Sequence, residues 1–131
     1  MPASGRFLLD TNIVIALFDA DEAVLSGLDT ASEVFIPAIV IGELFFGAAK
    51  SGRPAENRAK VERFAAGSAI LACDTSVARE YGRLRQCLRE KGRPIPENDL
   101  WIAATAAQHG LVLVTRDQHF LDVDGLALAT W

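Results

Sequence analysis

The chain has 131 residues, half of them hydrophobic, with a net charge of −4 and a mean hydropathy of +0.21. This length predicts one domain with a substantial core, and the acidic balance argues against a simple basic nucleic-acid-binding module. The longest apolar stretches, residues 13–18 and 34–41, are much shorter than the ~20 residues of a membrane span, so no transmembrane helix is expected.

The first residues and the two cysteines indicate the cellular compartment in which the chain is expected. Residues 1–5 have no charged segment followed by an apolar core, so we expect no signal peptide and a cytoplasmic chain. Cys73 and Cys87 lie in no metal-ligand or redox spacing. We therefore expect two reduced, buried thiols that act as small apolar residues.

Predicted strands and helices alternate along the chain. Apolar runs bounded by turn residues predict strands at residues 6–10, 33–36, 69–73 and 111–114, with an edge strand at 126–130. Helical periodicity and capping residues predict helices at residues 11–18, 21–31, 38–50, 54–66 and 97–109, and a long helix that Asp74 or Thr75 caps. This alternation predicts one three-layer α/β/α domain over residues 1–131, with a mainly parallel central sheet of four to five strands and right-handed crossovers.

Four acidic residues occupy positions where ligand-binding carboxylates are common. Asp10 directly follows the first strand and Asp117 follows the fourth by three residues, so both can lie at the carboxyl edge of the sheet. Asp99 lies in the first turn of its helix, where the helix dipole favours a negative charge. Glu43 interrupts an almost entirely apolar helix, where a charge is costly unless it is paired or binds a cation. Singly, each also fits a structural role such as a cap, a loop acid or an outward-facing side chain.

Together these acids favour a metal site. Four carboxylates at one edge of the sheet would repel one another unless divalent cations compensate their charge. Oxygen ligands suit Mg²⁺ or Mn²⁺ rather than zinc, and the sequence has no Cys/His cluster. Because such a site can activate water and neutralise charge on a phosphate, a metal-dependent nuclease is the favoured interpretation.

The charges are unevenly distributed along the chain. Ten of the thirteen Lys and Arg residues, but only five of the seventeen acids, lie in residues 53–93. A basic face there could hold the phosphates of RNA or an acidic stretch of a partner. The alternative is that these charges are the solvated outer faces of two helices.

Four short motifs, in this order and spacing, resemble those of the PIN-domain ribonucleases. They are Asp10-Thr11-Asn12, Ile41-Gly42-Glu43-Leu44, Asn98-Asp99-Leu100-Trp101 and Thr115-Arg116-Asp117. The resemblance extends over almost the whole chain and is greatest to the VapC toxins of bacterial toxin–antitoxin pairs. It implies a Mg²⁺- or Mn²⁺-dependent endoribonuclease and a homodimer. It also implies inhibition by a cognate VapB-type antitoxin, through which alone the complex would bind DNA.

The resemblance also implies a set of site residues. The acidic tetrad that would coordinate metal, directly or through water, is Asp10, Glu43, Asp99 and Asp117. Asn12 and Thr115 would orient ligands or water as polar neighbours of the tetrad. We add Arg116 as a candidate phosphate contact, with a solvated loop arginine as the alternative.

Some other residues have simpler expectations. We expect His109, in the last turn of a helix, to be structural. His119 is expected to be a packed loop residue rather than a substrate contact. The apolar helix at residues 38–50 is a candidate surface for another chain, and Trp101 is a candidate partner contact.

Two other functions are kept as alternatives. A receiver-like phosphoacceptor domain could use Asp10, Asp74 and Thr115, but it would need a lysine after the last central strand and an acid next to Asp10. The other alternative is a non-catalytic binding module whose acids hold a structural cation. Metal-dependent RNA cleavage separates the nuclease from that module, and labelling by acetyl phosphate would reveal a receiver.

Overall fold

Five parallel strands form the central sheet in the computed structural model, which describes residues 5–131. The strands are β1 (Arg6–Leu9), β2 (Glu33–Pro37), β3 (Ala69–Leu71), β4 (Val112–Val114) and β5 (Leu128–Ala129). Their order across the sheet is β3-β2-β1-β4-β5. The predicted α/β fold is therefore confirmed, with five strands in the sheet. Residues 1–4, on which the expectation of no signal peptide partly rested, lie outside the described residues.

Six α-helices and one 3-10 helix connect the strands. They are α1 (Thr11–Phe18), α2 (Glu22–Thr30), α3 (Ala38–Ala49), α4 (Pro54–Ala66), α5 (Thr75–Lys91), α6 (Glu97–His109) and the 3-10 helix Gln118–Asp122. Asp74 is the cap of α5, because its Oδ1 accepts a hydrogen bond from the Val77 amide at 3.0 Å. Within the described part of the chain, every helix is too short or too polar to span a membrane.

The core surrounds the two central strands. Leu8 of β1 and Leu113 of β4 are fully buried, as are Ile13 of α1 and Ile102 of α6. In α6 the buried face includes three alanines, which let the helix lie close to its neighbours. Because both central strands are covered by packed side chains, their ends are rigid supports for the residues that follow them.

The sheet has a topological switch point between β1 and β4. From β1 the chain proceeds to β2 and β3 on one side, whereas β4 and β5 lie on the other. The two central strands stay joined beyond their ends, since the Asp10 amide donates to the Val114 carbonyl at 3.0 Å. In open parallel sheets the crevice at such a point is the usual place for a ligand.

The expectation of buried cysteines is wrong. Cys73 and Cys87 are both free and exposed. Cys73 follows β3, an edge strand, and Cys87 lies on the outer face of α5 between the buried residues Leu84 and Leu88. Apolar character alone did not distinguish these surface positions from core positions.

Candidate active site

Asp10 is the most buried acid of the site, with 4% of its surface exposed. Its Oδ1 accepts a hydrogen bond from the Thr11 amide at 2.8 Å, and its Oδ2 accepts one from Thr115 Oγ1 at 2.7 Å. Burial raises the pKa of Asp10 to about 6, although the two hydrogen bonds act in the opposite direction. The charges of Asp99 and Glu43 add to the rise, so these carboxylates interact electrostatically.

Thr115 connects the ends of the two central strands. It directly follows β4, is 5% exposed, and donates its hydroxyl proton to Asp10. The same oxygen accepts a hydrogen bond from the Asp117 amide at 2.9 Å. One residue later, the Arg116 amide donates to Asn12 Oδ1 at 3.3 Å. These bonds fix the loop after β4 against the start of α1.

Glu43 lies half-buried on α3 and faces α1. Its Oε1 accepts a hydrogen bond from Thr11 Oγ1 at 2.6 Å. Thr11 was part of the first motif, but sequence reasoning assigned it no role. Its position next to Asp10 means that one short segment orients two of the four acids.

Asp99 and Asp117 both contact the same nitrogen of an imidazole. His119 Nδ1 lies 3.1 Å from Asp99 Oδ2 and 3.1 Å from Asp117 Oδ1. Burial raises the pKa of Asp99, and the charges of Asp117 and Glu43 add to this while the hydrogen bond with His119 opposes it. The hydrogen bond with Asp99 raises the pKa of His119, as does the charge of Asp117.

The expectation that His119 is simply a packed loop residue is wrong. Its side chain is 54% exposed and contacts two acids of the tetrad. The local reason is a turn in which Asp117 Oδ1 accepts a hydrogen bond from the His119 amide at 2.9 Å. An Asp two residues before a His at a strand end was the signal in the sequence.

Arg116 is held away from the acids. Its Nε donates to the Trp131 carbonyl at 2.8 Å, and its Nη2 lies 3.1 Å from Asp21 Oδ2. This hydrogen bond and charge also lower the pKa of Asp21. The guanidinium thus joins the site loop to the start of α2 and the end of the chain, and its role as a phosphate contact stays a prediction.

Two of the acids and an imidazole form a group that could hold a metal ion. Among the described residues, Asp99, Asp117 and His119 have ligand atoms within 4.8 Å of one another. Asp10 and Glu43 lie outside this tight group, but the charges of Asp99 and Glu43 raise the pKa of Asp10, and the charge of Glu43 raises the pKa of Asp99. A buried acid with a raised pKa beside other acids is an arrangement that a divalent cation would stabilise.

Most cations of the segment at residues 53–93 are paired. Six of its ten Lys and Arg residues lie within 4.0 Å of a carboxylate, all with side chains largely or partly exposed. This pairing favours the interpretation of solvated outer helix faces for those six. Lys60 is different, because it lines a groove that also contains Glu43.

Comparison with known proteins identifies the family. Residues 7–126 match the PIN domain model. The chain is 34% identical over 129 residues to Ribonuclease VapC2 of Haemophilus influenzae, covering 96% of this chain and 98% of the relative. It is equally similar, over the same shares, to the tRNA(fMet)-specific endonuclease VapC of Salmonella typhimurium.

A solved structure gives the same result. The fold superposes on a chain of the DNA-bound VapBC complex from Salmonella typhimurium with a TM-score of 0.89 and 33% identity, covering 96% of this chain and 98% of the other. The match to the PIN domain model, at residues 7–126, includes the positions of all four acids. The chain therefore belongs to the PIN domain family and, within it, to the VapC ribonucleases.

Proposed function

We propose that this chain is a divalent-metal-dependent endoribonuclease that acts as the toxin of a VapBC-type toxin–antitoxin pair. The observation that carries this proposal is an acidic group in which Asp99 and Asp117 share a contact with His119, while the charges of Asp10 and Glu43 interact with that of Asp99. No strong cation neutralises this cluster, since His119 is the only basic side chain of the described residues that contacts these acids. Family membership supports the same activity.

The four acids would hold Mg²⁺ or Mn²⁺, which when bound supplies an activated water and neutralises charge on the scissile phosphodiester. The residues of the chain provide the orientation. Thr115 and the Thr11 amide hold the two oxygens of Asp10, and the Thr11 hydroxyl holds Glu43, so the orientation of each carboxylate is defined. Hydrolysis adds a hydroxyl group to phosphorus and a proton to the leaving ribose oxygen.

The partners follow from the relatives. Several solved neighbours are VapBC complexes, two of them bound to DNA, and these support a VapB-type antitoxin for this chain. Binding of DNA only through that antitoxin, and a homodimer of the toxin, are part of the same proposal. We place the activity in the cytoplasm, where RNA and antitoxin would both be present.

Cleavage of RNA by the purified, antitoxin-free chain tests the proposal. We expect discrete fragments with Mg²⁺ or Mn²⁺ and none with EDTA. Glu43→Gln should remove cleavage, because it eliminates one anionic ligand while keeping an acceptor for Thr11. Glu56→Gln, an exposed change on α4, should cut as the wild type does. Equal cutting in EDTA, or by Glu43→Gln, would contradict the proposed function.

A further inference from the structure

Two grooves share the Glu43 side chain. The larger, about 870 Å³, is lined by Thr11, Phe46 and Lys50 as well as Glu43. The smaller, about 330 Å³, is lined by Glu43 and Lys60. Both grooves therefore meet at one candidate catalytic acid, and an RNA strand lying along them would pass Glu43.

Each groove contains a lysine that no acid neutralises. Lys50 Nζ lies 4.9 Å from the ring centroid of Phe46, and Lys60 Nζ lies 5.3 Å from that of Phe18. In the range 5–131, no carboxylate oxygen lies within 4.0 Å of either amine, in contrast to six of the other cations of residues 53–93. Unpaired lysines beside a nuclease cleft are suited to phosphate oxygens.

Phe46 offers a flat apolar surface beside the acids. It is 66% exposed, although a phenylalanine is usually buried. It follows Glu43 by three residues on α3, which places the two side chains on neighbouring positions of one helix face. An exposed ring next to a cation and a groove is the arrangement on which single-stranded nucleic acids stack their bases.

Two glycines keep the larger groove open. Gly42 and Gly47 lie inside α3, where glycine destabilises a helix relative to alanine. An added Cβ at either position would meet no atom within 4 Å, so packing inside the chain does not require glycine there. Both residues line the groove, and the missing side chains leave space for a ligand to approach the helix backbone.

We propose that this face of α3 is a subsite for single-stranded RNA. One base stacks on Phe46, and the adjoining phosphates contact Lys50 in the larger groove and Lys60 in the smaller one. This inference rests on the proposed function and specifies how its substrate is held. It implies that the segment next to the cut must be unpaired, because a stacked base on Phe46 cannot remain in a duplex.

Binding can be measured without cleavage in the Asp10→Asn protein. The probe is a fluorescein-labelled single-stranded RNA of about ten nucleotides in Mg²⁺ buffer, followed by anisotropy. Phe46→Ala should raise the Kd about tenfold, the usual effect of losing one stacked base, whereas Phe46→Trp should restore binding. Lys50→Ala should weaken binding and reduce the slope of log K against log salt by about 0.7.

A second pair of variants separates groove blocking from misfolding. Gly47→Leu places a side chain in the groove, and Gly82→Leu makes the same change inside α5, where an added Cβ also meets nothing within 4 Å. Both should raise the melting temperature, since leucine favours a helix more than glycine does. Only Gly47→Leu should weaken RNA binding.

Unchanged RNA affinity in Phe46→Ala, Lys50→Ala and Gly47→Leu would overturn the subsite and leave this face to a protein partner. The cleavage assay distinguishes the two proposals. If the wild type cuts RNA but these variants bind normally, the subsite fails and the function stands. If the wild type never cuts but binding depends on Phe46, the function fails and the subsite stands.

Discussion

Replacing Asp10 with asparagine should stabilise the metal-free protein while it eliminates cleavage. Asp10 is 4% exposed, and burial raises its pKa to about 6 from an ordinary value of 3.8. A rise of about two pKa units corresponds to about 3 kcal/mol by which the ionised carboxylate destabilises the folded state at neutral pH. Asparagine carries no charge, so this destabilisation of the folded state is absent from the variant.

The substitution also has a cost. The amide oxygen of asparagine can still accept from the Thr11 amide, but its NH₂ group faces Thr115 Oγ1, so the threonine hydroxyl loses its acceptor. Losing such a bond costs about 1 kcal/mol. The net gain in the free energy of unfolding at neutral pH should therefore be about 2 kcal/mol.

The stability difference between Asp10→Asn and the wild type should change with pH in a defined direction. Because the folded-state pKa is raised, the wild type is least penalised below the unfolded pKa and loses stability as pH rises through about 6. The advantage of Asp10→Asn in urea unfolding with EDTA should thus be largest near pH 7.5 and almost disappear near pH 4. Asp29→Asn, at an exposed position on α2, is the matched control and should show neither effect. A variant that is less stable than the wild type at neutral pH, or an advantage independent of pH, would refute this reasoning.

Three further changes test the supporting contacts. Thr115→Val should lower the free energy of unfolding by about 1–3 kcal/mol, because the Asp117 amide loses its acceptor. It should also reduce kcat, and an unchanged kcat would contradict a role of Thr115 in orienting Asp10. His119→Ala removes the basic group that contacts Asp99 and Asp117. The rise in melting temperature on adding Mg²⁺ near pH 6 should therefore be larger for this variant than for the wild type. An equal rise would show that the imidazole does not offset the charge of the two acids. Arg116→Lys should lower kcat more than it raises KM, because lysine cannot reach both Asp21 and the last carbonyl; a pure KM effect would instead support a phosphate contact.

The strands and α-helices were predictable because their signals are local, whereas the 3-10 helix Gln118–Asp122 was not predicted. Apolar runs ended by turn residues, the Asp74 cap and the breaker Gly110 each act within a few residues, and the predicted helices match those observed to within one or two residues. The connection of Asp10 to the Asp117 amide through Thr115 agrees with a rule about strand ends. The order of the strands was not predicted, since residues far apart in sequence determine it.

Contacts between distant segments were the part that sequence could not provide. Asp99 meets His119 across twenty residues, and Thr11 reaches Glu43 across thirty-two. The engagement of Arg116 with Asp21 likewise depends on where α2 begins relative to the sheet. Periodicity describes which face of an element is buried, but it does not say which polar side chains meet at the end of the sheet.

Parallel titration of metal binding and RNA cleavage tests whether a metal ion held by the four acids is required for cleavage. Mn²⁺ is added to metal-free wild type and to Asp10→Asn, its binding is followed by electron paramagnetic resonance, and the same samples are assayed for RNA cleavage. We expect wild-type cleavage to rise in proportion to bound Mn²⁺, and the variant to bind the ion more weakly and not to cut. Cleavage that precedes metal binding, or a variant that binds Mn²⁺ and cuts as the wild type does, would contradict it.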